Sequence, residues 1–141
     1  MSSVRNRFVW PLVVWTLVVW VPRIRNVWSD DDLSTAGQVG RTLLATSFVV
    51  SALVVARVSW HARSRAFTAR ERGAVLGLAA WTIGVWVVRG GQILLGDHDA
   101  AFTAVHSVLA IVSILLAGSA VRVGFGRDEA VRGSLAESVD R

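Results

Sequence analysis

Four apolar runs, each about as long as a bilayer is thick, leave this chain few ways to fold. They cover residues 8–28, 39–60, 74–95 and 100–123. A helix rises 1.5 Å per residue, so about 20 apolar residues cross roughly 30 Å of hydrocarbon. In lipid the backbone must satisfy its own hydrogen bonds, which only helices or closed barrels do, and these runs lack the alternation of barrel strands. The expectation is an all-α, four-helix transmembrane bundle forming one domain over residues 1–123. The tail at 124–141 is polar and Gly/Ser-bearing, and is expected to be cytoplasmic and largely disordered.

Charge placement carries the argument further. Hydrophobic residues make up 53% of the chain and charged ones only 18%, so the charges are concentrated between the runs. The net charge of +5 would suit nucleic acid only if the basic groups shared a wetted face. They sit at run ends instead, which makes the lipid bilayer the expected partner and nucleic acid an unexpected one. All 15 basic residues are Arg, a bias read as that of a GC-rich bacterial genome. Without cysteine, disulfides, thiolate metal sites and Cys nucleophiles are excluded.

Orientation follows from the arginines. Arg5 and Arg7 precede the first run; Arg57, Arg63, Arg65, Arg70 and Arg72 lie around the middle connection; Arg122, Arg127, Arg132 and Arg141 follow the fourth. The positive-inside rule puts these regions, and both termini, in the cytoplasm of a multi-pass protein of the bacterial plasma membrane. The first run has a basic start but ends in Val21-Pro22-Arg23 without a small-residue cleavage site, so it is expected to be retained as a span. The middle connection mixes Arg with Trp60 and Phe67, as segments lying on anionic headgroups do.

At an offset of 66 residues the chain matches itself. Trp15-Thr-Leu-Val-Val-Trp-Val-Pro-Arg23 meets Trp81-Thr-Ile-Gly-Val-Trp-Val-Val-Arg89, with both Trp, the Thr and the Arg identical. The match continues through Asn26 and Gln92, Asp31 and Asp97, Val39 and Val105, Leu43 and Leu109, Ser47 and Ser113, and Val55 and Val121. Residues 8–60 and 74–123 therefore read as tandem copies of one helical hairpin. Each copy holds two spans, so the copies share an orientation and are expected to be related by a pseudo-twofold axis along the membrane normal.

Within each copy Thr, Trp and Arg fall at i, i+4 and i+7, on one helical face: Thr16, Trp20, Arg23 and Thr82, Trp86, Arg89. A lipid-facing stripe has no use for Arg, so this face is expected to point into the bundle. Arg23 and Arg89 lie roughly 6–9 Å inside the outer span ends. An ionisable group there is by default a functional hypothesis with an acidic partner, and Asp31 and Asp97 are the matched candidates. One reading is an outward vestibule in which two guanidinium groups, with Asn26 and Gln92 beside them, bind an anion or carboxylate. The other is structural: the arginines snorkel, stack over Trp20 or Trp86 and pair with loop Asp residues.

His106 is the lone His within a run. A bis-His haem site needs a second one at depth, and His61 and His98 fall at membrane surfaces, so no cofactor is expected. His106 is read as a hydrogen-bonding group between helices, with a ligand or proton role as the alternative. Asp97-His98-Asp99 reads as a turn in which Asp99 caps the fourth helix, not as a metal site. Asp30-Asp31-Asp32 reads as solvated counter-charge to Arg23, Arg25 and Arg41. Gly73, Gly77 and Gly84 with Ala80 form a small-residue stripe that suits helix packing, either within the bundle or against a partner. Ser47, Ser51, Ala52 and Ala56 form another on the second run. Trp10, Trp28 and Trp60 suit interfacial belts.

The Trp-Thr-x-x-Val-Trp-Val-x-Arg segment running on to Asn26-Val27, with Ala101-Phe-Thr-Ala-Val-His106-Ser-Val-Leu-Ala, resembles small four-span membrane proteins of GC-rich bacteria. The likeness spans nearly the whole chain outside its tails and implies fold and location only. No nucleotide loop, nucleophile elbow, zinc motif or paired intramembrane carboxylate is present, so no enzyme is expected. The leading expectation is an accessory or interaction component of the membrane, working with a partner or as a homo-oligomer. The alternative is a small permease or channel that binds an anionic or zwitterionic solute through Arg23 and Arg89.

Overall fold

A computed structural model describes residues 8–29 and 34–139, with side chains described as far as residue 122. The chain is all-helical. Four helices follow one another: α1 (Val9–Trp28), α2 (Thr35–His61), α3 (Ala69–Leu95) and α4 (Ala100–Val139). Short connections force antiparallel neighbours. Each helix packs on the next, and α4 closes on α1.

Each boundary has a local cause. Ser34 caps α2 by accepting from the Gly37 N–H at 3.2 Å. Thr68 opens α3 with a reciprocal capping box: its hydroxyl accepts from the Glu71 N–H, and the Glu71 carboxylate accepts from the Thr68 N–H. The same carboxylate takes two N–H groups of Arg65 at 2.6 and 2.7 Å, which raises the Arg65 pKa from its ordinary value. Asp99 caps α4, accepting from the Phe102 N–H at 2.9 Å. Gly96 ends α3 where a side chain would crowd: a Cβ there would lie 3.0 Å from the Gln92 carbonyl oxygen.

Three helices, α2, α3 and α4 as far as Arg122, are long and apolar enough to cross a membrane. In α1 the 20 residues give sufficient length, but Pro22, Arg23, Arg25 and Asn26 make its last third polar. The outward faces are apolar on every helix, with Val14, Val18, Leu43, Leu53, Val87, Val108, Ile111 and Leu115 exposed. A surface of this kind is matched by lipid tails rather than water, and it marks the chain as a membrane protein. The helix continues through residues 124–139, where a largely disordered tail was expected. Ala130, Ala136 and Glu137 are strong helix formers, and after Pro22 no proline interrupts the chain. Residues 140–141, and the side chains from 123 onward, lie outside the described residues.

The interior is filled from both hairpins by Leu12, Val13, Phe48, Ala52, Val55, Leu78, Ala79, Ala117 and Ala120. The Ala positions of α2 and α4 let the larger residues of α1 and α3 approach. Of the two small-residue stripes, that on α2 packs inward at Ala52. The α3 stripe does not serve the bundle. A Cβ built at Gly73, Gly77 or Gly84 meets nothing within 4 Å, so this face opens outward.

Candidate functional site

The repeated Thr-Trp-Arg face points inward on both helices. Thr16 and Thr82 are buried, and their hydroxyls donate to the Leu12 and Leu78 carbonyls at 2.7 and 2.8 Å. Each polar group is thereby satisfied within its own helix, and burial costs it little. One turn on, Trp20 and Trp86 are also buried and meet across the bundle with ring centroids 6.3 Å apart. Trp20 stacks on Phe48 of α2 at 4.1 Å and 6°. These rings close the interior beneath the two arginines.

Above them lies a cavity of about 420 Å³, where the ends of α1 and α3 meet the starts of α2 and α4. Five of the residues nominated by sequence line it: Arg23, Arg89, Asn26, Gln92 and His106. Asp97 is exposed and does not line it, whereas Asp31 lies outside the described residues. Trp20, Val27, Leu44, Val85, Trp86 and Ile93 give it apolar walls, and Arg41, His98 and Phe102 add groups that do not stand out as ligands from sequence. A signal existed for Arg41: it is an ionisable residue inside the second apolar run, two positions past its start at Val39.

Arg23 is held at two points. Its Nη2 donates to His106 Nε2 at 3.0 Å, and its Cζ lies 5.3 Å from the Trp20 ring centroid. His106 Nδ1 lies 2.9 Å from the Phe102 carbonyl oxygen, which only accepts, so Nδ1 carries the proton and Nε2 offers a lone pair to the guanidinium. Phe102 stacks on the imidazole at 3.9 Å. The expected hydrogen bond between helices at His106 is therefore present, with Arg23 as its partner. Arg23 uses one of its five N–H donors in this bond.

Arg23, Arg41 and Arg89 all line this cavity, so three guanidinium groups share one end of the bundle. Among the described residues lining the cavity none is acidic. Like charges gathered beside apolar walls repel, and an anion relieves that repulsion. Below the tryptophans the hydroxyls of Thr16, Thr82 and Ser113 donate to carbonyls of their own helices, Ser113 to Leu109 at 2.6 Å. The geometry is thus a socket closed at its base, chemically fitted to hold an anion.

Equivalent contacts occur 66 residues apart. Trp15 Nε1 donates to Ser113 Oγ at 2.9 Å, and Trp81 Nε1 donates to Ser47 Oγ at 3.1 Å. Both partners of the second bond are related to those of the first by the same 66-residue offset, 15 to 81 and 47 to 113.

No known protein family, curated protein or solved structure matches this chain.

Proposed function

We propose that the chain is a four-span protein of the bacterial plasma membrane, built from two tandem hairpins, that binds an anionic or zwitterionic group in the Arg23–Arg41–Arg89 cavity at its outer face. The observation that carries the reading is the gathering of three guanidinium groups, from α1, α2 and α3, around one cavity whose described lining holds no carboxylate. Three cations gathered beside a bilayer with no acidic group among the described lining residues are costly, and a bound anion offsets that cost. The paired Trp–Ser bonds support the hairpin repeat, since a pseudo-twofold relation generates one from the other. The aromatic floor favours a binding function over an open conduit.

The test is a thermal-unfolding series in detergent with phosphate, sulfate, short carboxylates and sn-glycerol 3-phosphate. The wild-type protein is expected to gain stability with at least one of them, as any ligand that binds only the folded state provides. Arg23→Gln with Arg89→Gln is expected to fold and to lose that gain. If no anion shifts the wild-type transition, the reading fails.

A second reading, an accessory component acting through a partner or a second copy of itself, draws on the open Gly73–Gly77–Gly84 face of α3. Small residues on an outward helix face admit another helix at close range. Disulfide trapping of a single Gly77→Cys substitution tests it, because a face used between copies cross-links and a lipid-facing one does not.

A further inference from the structure

The cavity has a side exit. A second, apolar groove of about 450 Å³ lies between α2 and α3 and shares Leu44, Val85, Arg89 and Gln92 with the arginine cavity. It continues past Trp81, Gly84 and Val88, all of them on the outward face. Gly84 and Trp81 lie five and eight residues before Arg89, hence about 7 and 12 Å further into the membrane at 1.5 Å per residue. The groove therefore starts at a guanidinium group and descends along the hydrocarbon.

On this basis we infer that the ligand is an anionic amphiphile, a lipid whose charged headgroup sits among Arg23, Arg41 and Arg89 while one acyl chain lies in the Leu44–Trp81–Gly84–Val88 groove. The inference rests on the anion-binding reading and narrows it. Three observations favour an amphiphile over a free ion. The axial route from the cavity is shut by Trp20 stacked on Phe48, while the lateral one toward lipid is open. A Cβ at Gly84 meets nothing within 4 Å, so the groove is empty space at the level where an acyl chain would pass. The repeat is broken there: α1 carries Val18 where α3 carries Gly84, so the second copy alone has the glycine.

An acyl chain gains little by leaving one hydrocarbon surrounding for another, so selectivity comes from the headgroup and the groove merely accommodates the chain attached to it. That defines the experiment. The protein is reconstituted in phosphatidylcholine vesicles containing a small fraction of lipid brominated on its acyl chain, as phosphatidylglycerol or as phosphatidylcholine. Trp81 emission is taken as the difference between the wild-type protein and Trp81→Phe. Brominated phosphatidylglycerol is expected to quench Trp81 severalfold more than brominated phosphatidylcholine at the same fraction. Gly84→Leu, which fills the groove, and Arg23→Gln with Arg89→Gln, which empties the headgroup site of charge, are each expected to remove the excess. Soluble sn-glycerol 3-phosphate is expected to compete it away.

Equal quenching by the two lipids, with sn-glycerol 3-phosphate still raising the unfolding temperature, overturns the amphiphile and leaves the anion site standing. Equal quenching with no such stabilisation overturns both. Excess quenching that survives Gly84→Leu overturns the groove as the path of the chain.

Discussion

The Trp15 indole N–H donates to Ser113 Oγ at 2.9 Å, joining α1 to α4 where the chain closes on itself. Its counterpart, Trp81 to Ser47 at 3.1 Å, joins α3 to α2. Each serine hydroxyl also donates to its own helix, at Leu109 and Leu44, so removing the tryptophan leaves no orphaned serine. The cost of Trp15→Phe is accordingly that of one hydrogen bond between helices, about 0.6 kcal/mol with a ceiling near 1.7. A double-mutant cycle of Trp15→Phe with Ser113→Ala, read from reversible unfolding in detergent, is expected to give a coupling of that size. Trp15→Phe with Ser47→Ala is expected to be additive. Trp81→Phe costs less than Trp15→Phe, because Trp81 is 44% exposed.

His106 is the acceptor that keeps Arg23 in place. Replacing it with Leu leaves the guanidinium facing an apolar side chain, an unpaired charged donor that costs about 1–3 kcal/mol. Gln restores an acceptor at similar reach. His106→Leu is therefore expected to destabilise more than His106→Gln, and His106→Leu combined with Arg23→Gln to destabilise less than the sum of the two. Additivity in that cycle, measured by the same unfolding assay, would show that the bond contributes nothing.

Much of this architecture was legible in the chain. Run length dictated the helices because lipid permits few alternatives, and the ends of α1, α3 and α4 fall within a few residues of the apolar boundaries at Trp28, Leu95 and Ala100. The α4 C-terminus is the exception. Its continuation past the apolar run is a departure, since Gly124 and Gly126 weaken a helix by only about 1 kcal/mol each and do not end one. The inward face of Thr16, Trp20 and Arg23 followed from helical spacing and from the repeat. The partner of Arg23 was a different matter. Charge pairing pointed to Asp31 or Asp97; Asp97 does not line the cavity, Asp31 lies outside the described residues, and the contact the structure shows is with His106, a residue 83 positions away. No spacing rule reaches across four helices, since which faces meet depends on how the bundle closes. Arg41 was missed as a ligand group because it has no charged mate in the other repeat, and the lateral groove because a lone Gly84 reads as packing until its surroundings are seen.

Thr68 sets the start of α3 through a hydrogen bond in each direction with Glu71. Thr68→Ala removes the hydroxyl acceptor and is expected to lower stability by about 1 kcal/mol. Thr68→Ser retains it and is expected to be nearly neutral. Thermal unfolding of the three proteins in one detergent decides the point; equal transitions would mean that the cap is redundant with the Glu71–Arg65 contact.

Orientation is testable because the chain has no native cysteine. Ser64 lies in the connection between α2 and α3, and Asp97 in the turn between α3 and α4, at opposite ends of the bundle and both exposed. Arg57, Arg63, Arg65, Arg70 and Arg72 surround the first site, so the positive-inside rule places it in the cytoplasm and Asp97 outside. A membrane-impermeant maleimide applied to intact cells is expected to label Asp97→Cys and to spare Ser64→Cys, with the order reversed in inverted vesicles. Labelling of Ser64→Cys from outside would turn the protein over. The arginine cavity would then open to the cytoplasm, and any lipid drawn into the groove beside Gly84 would come from the inner leaflet.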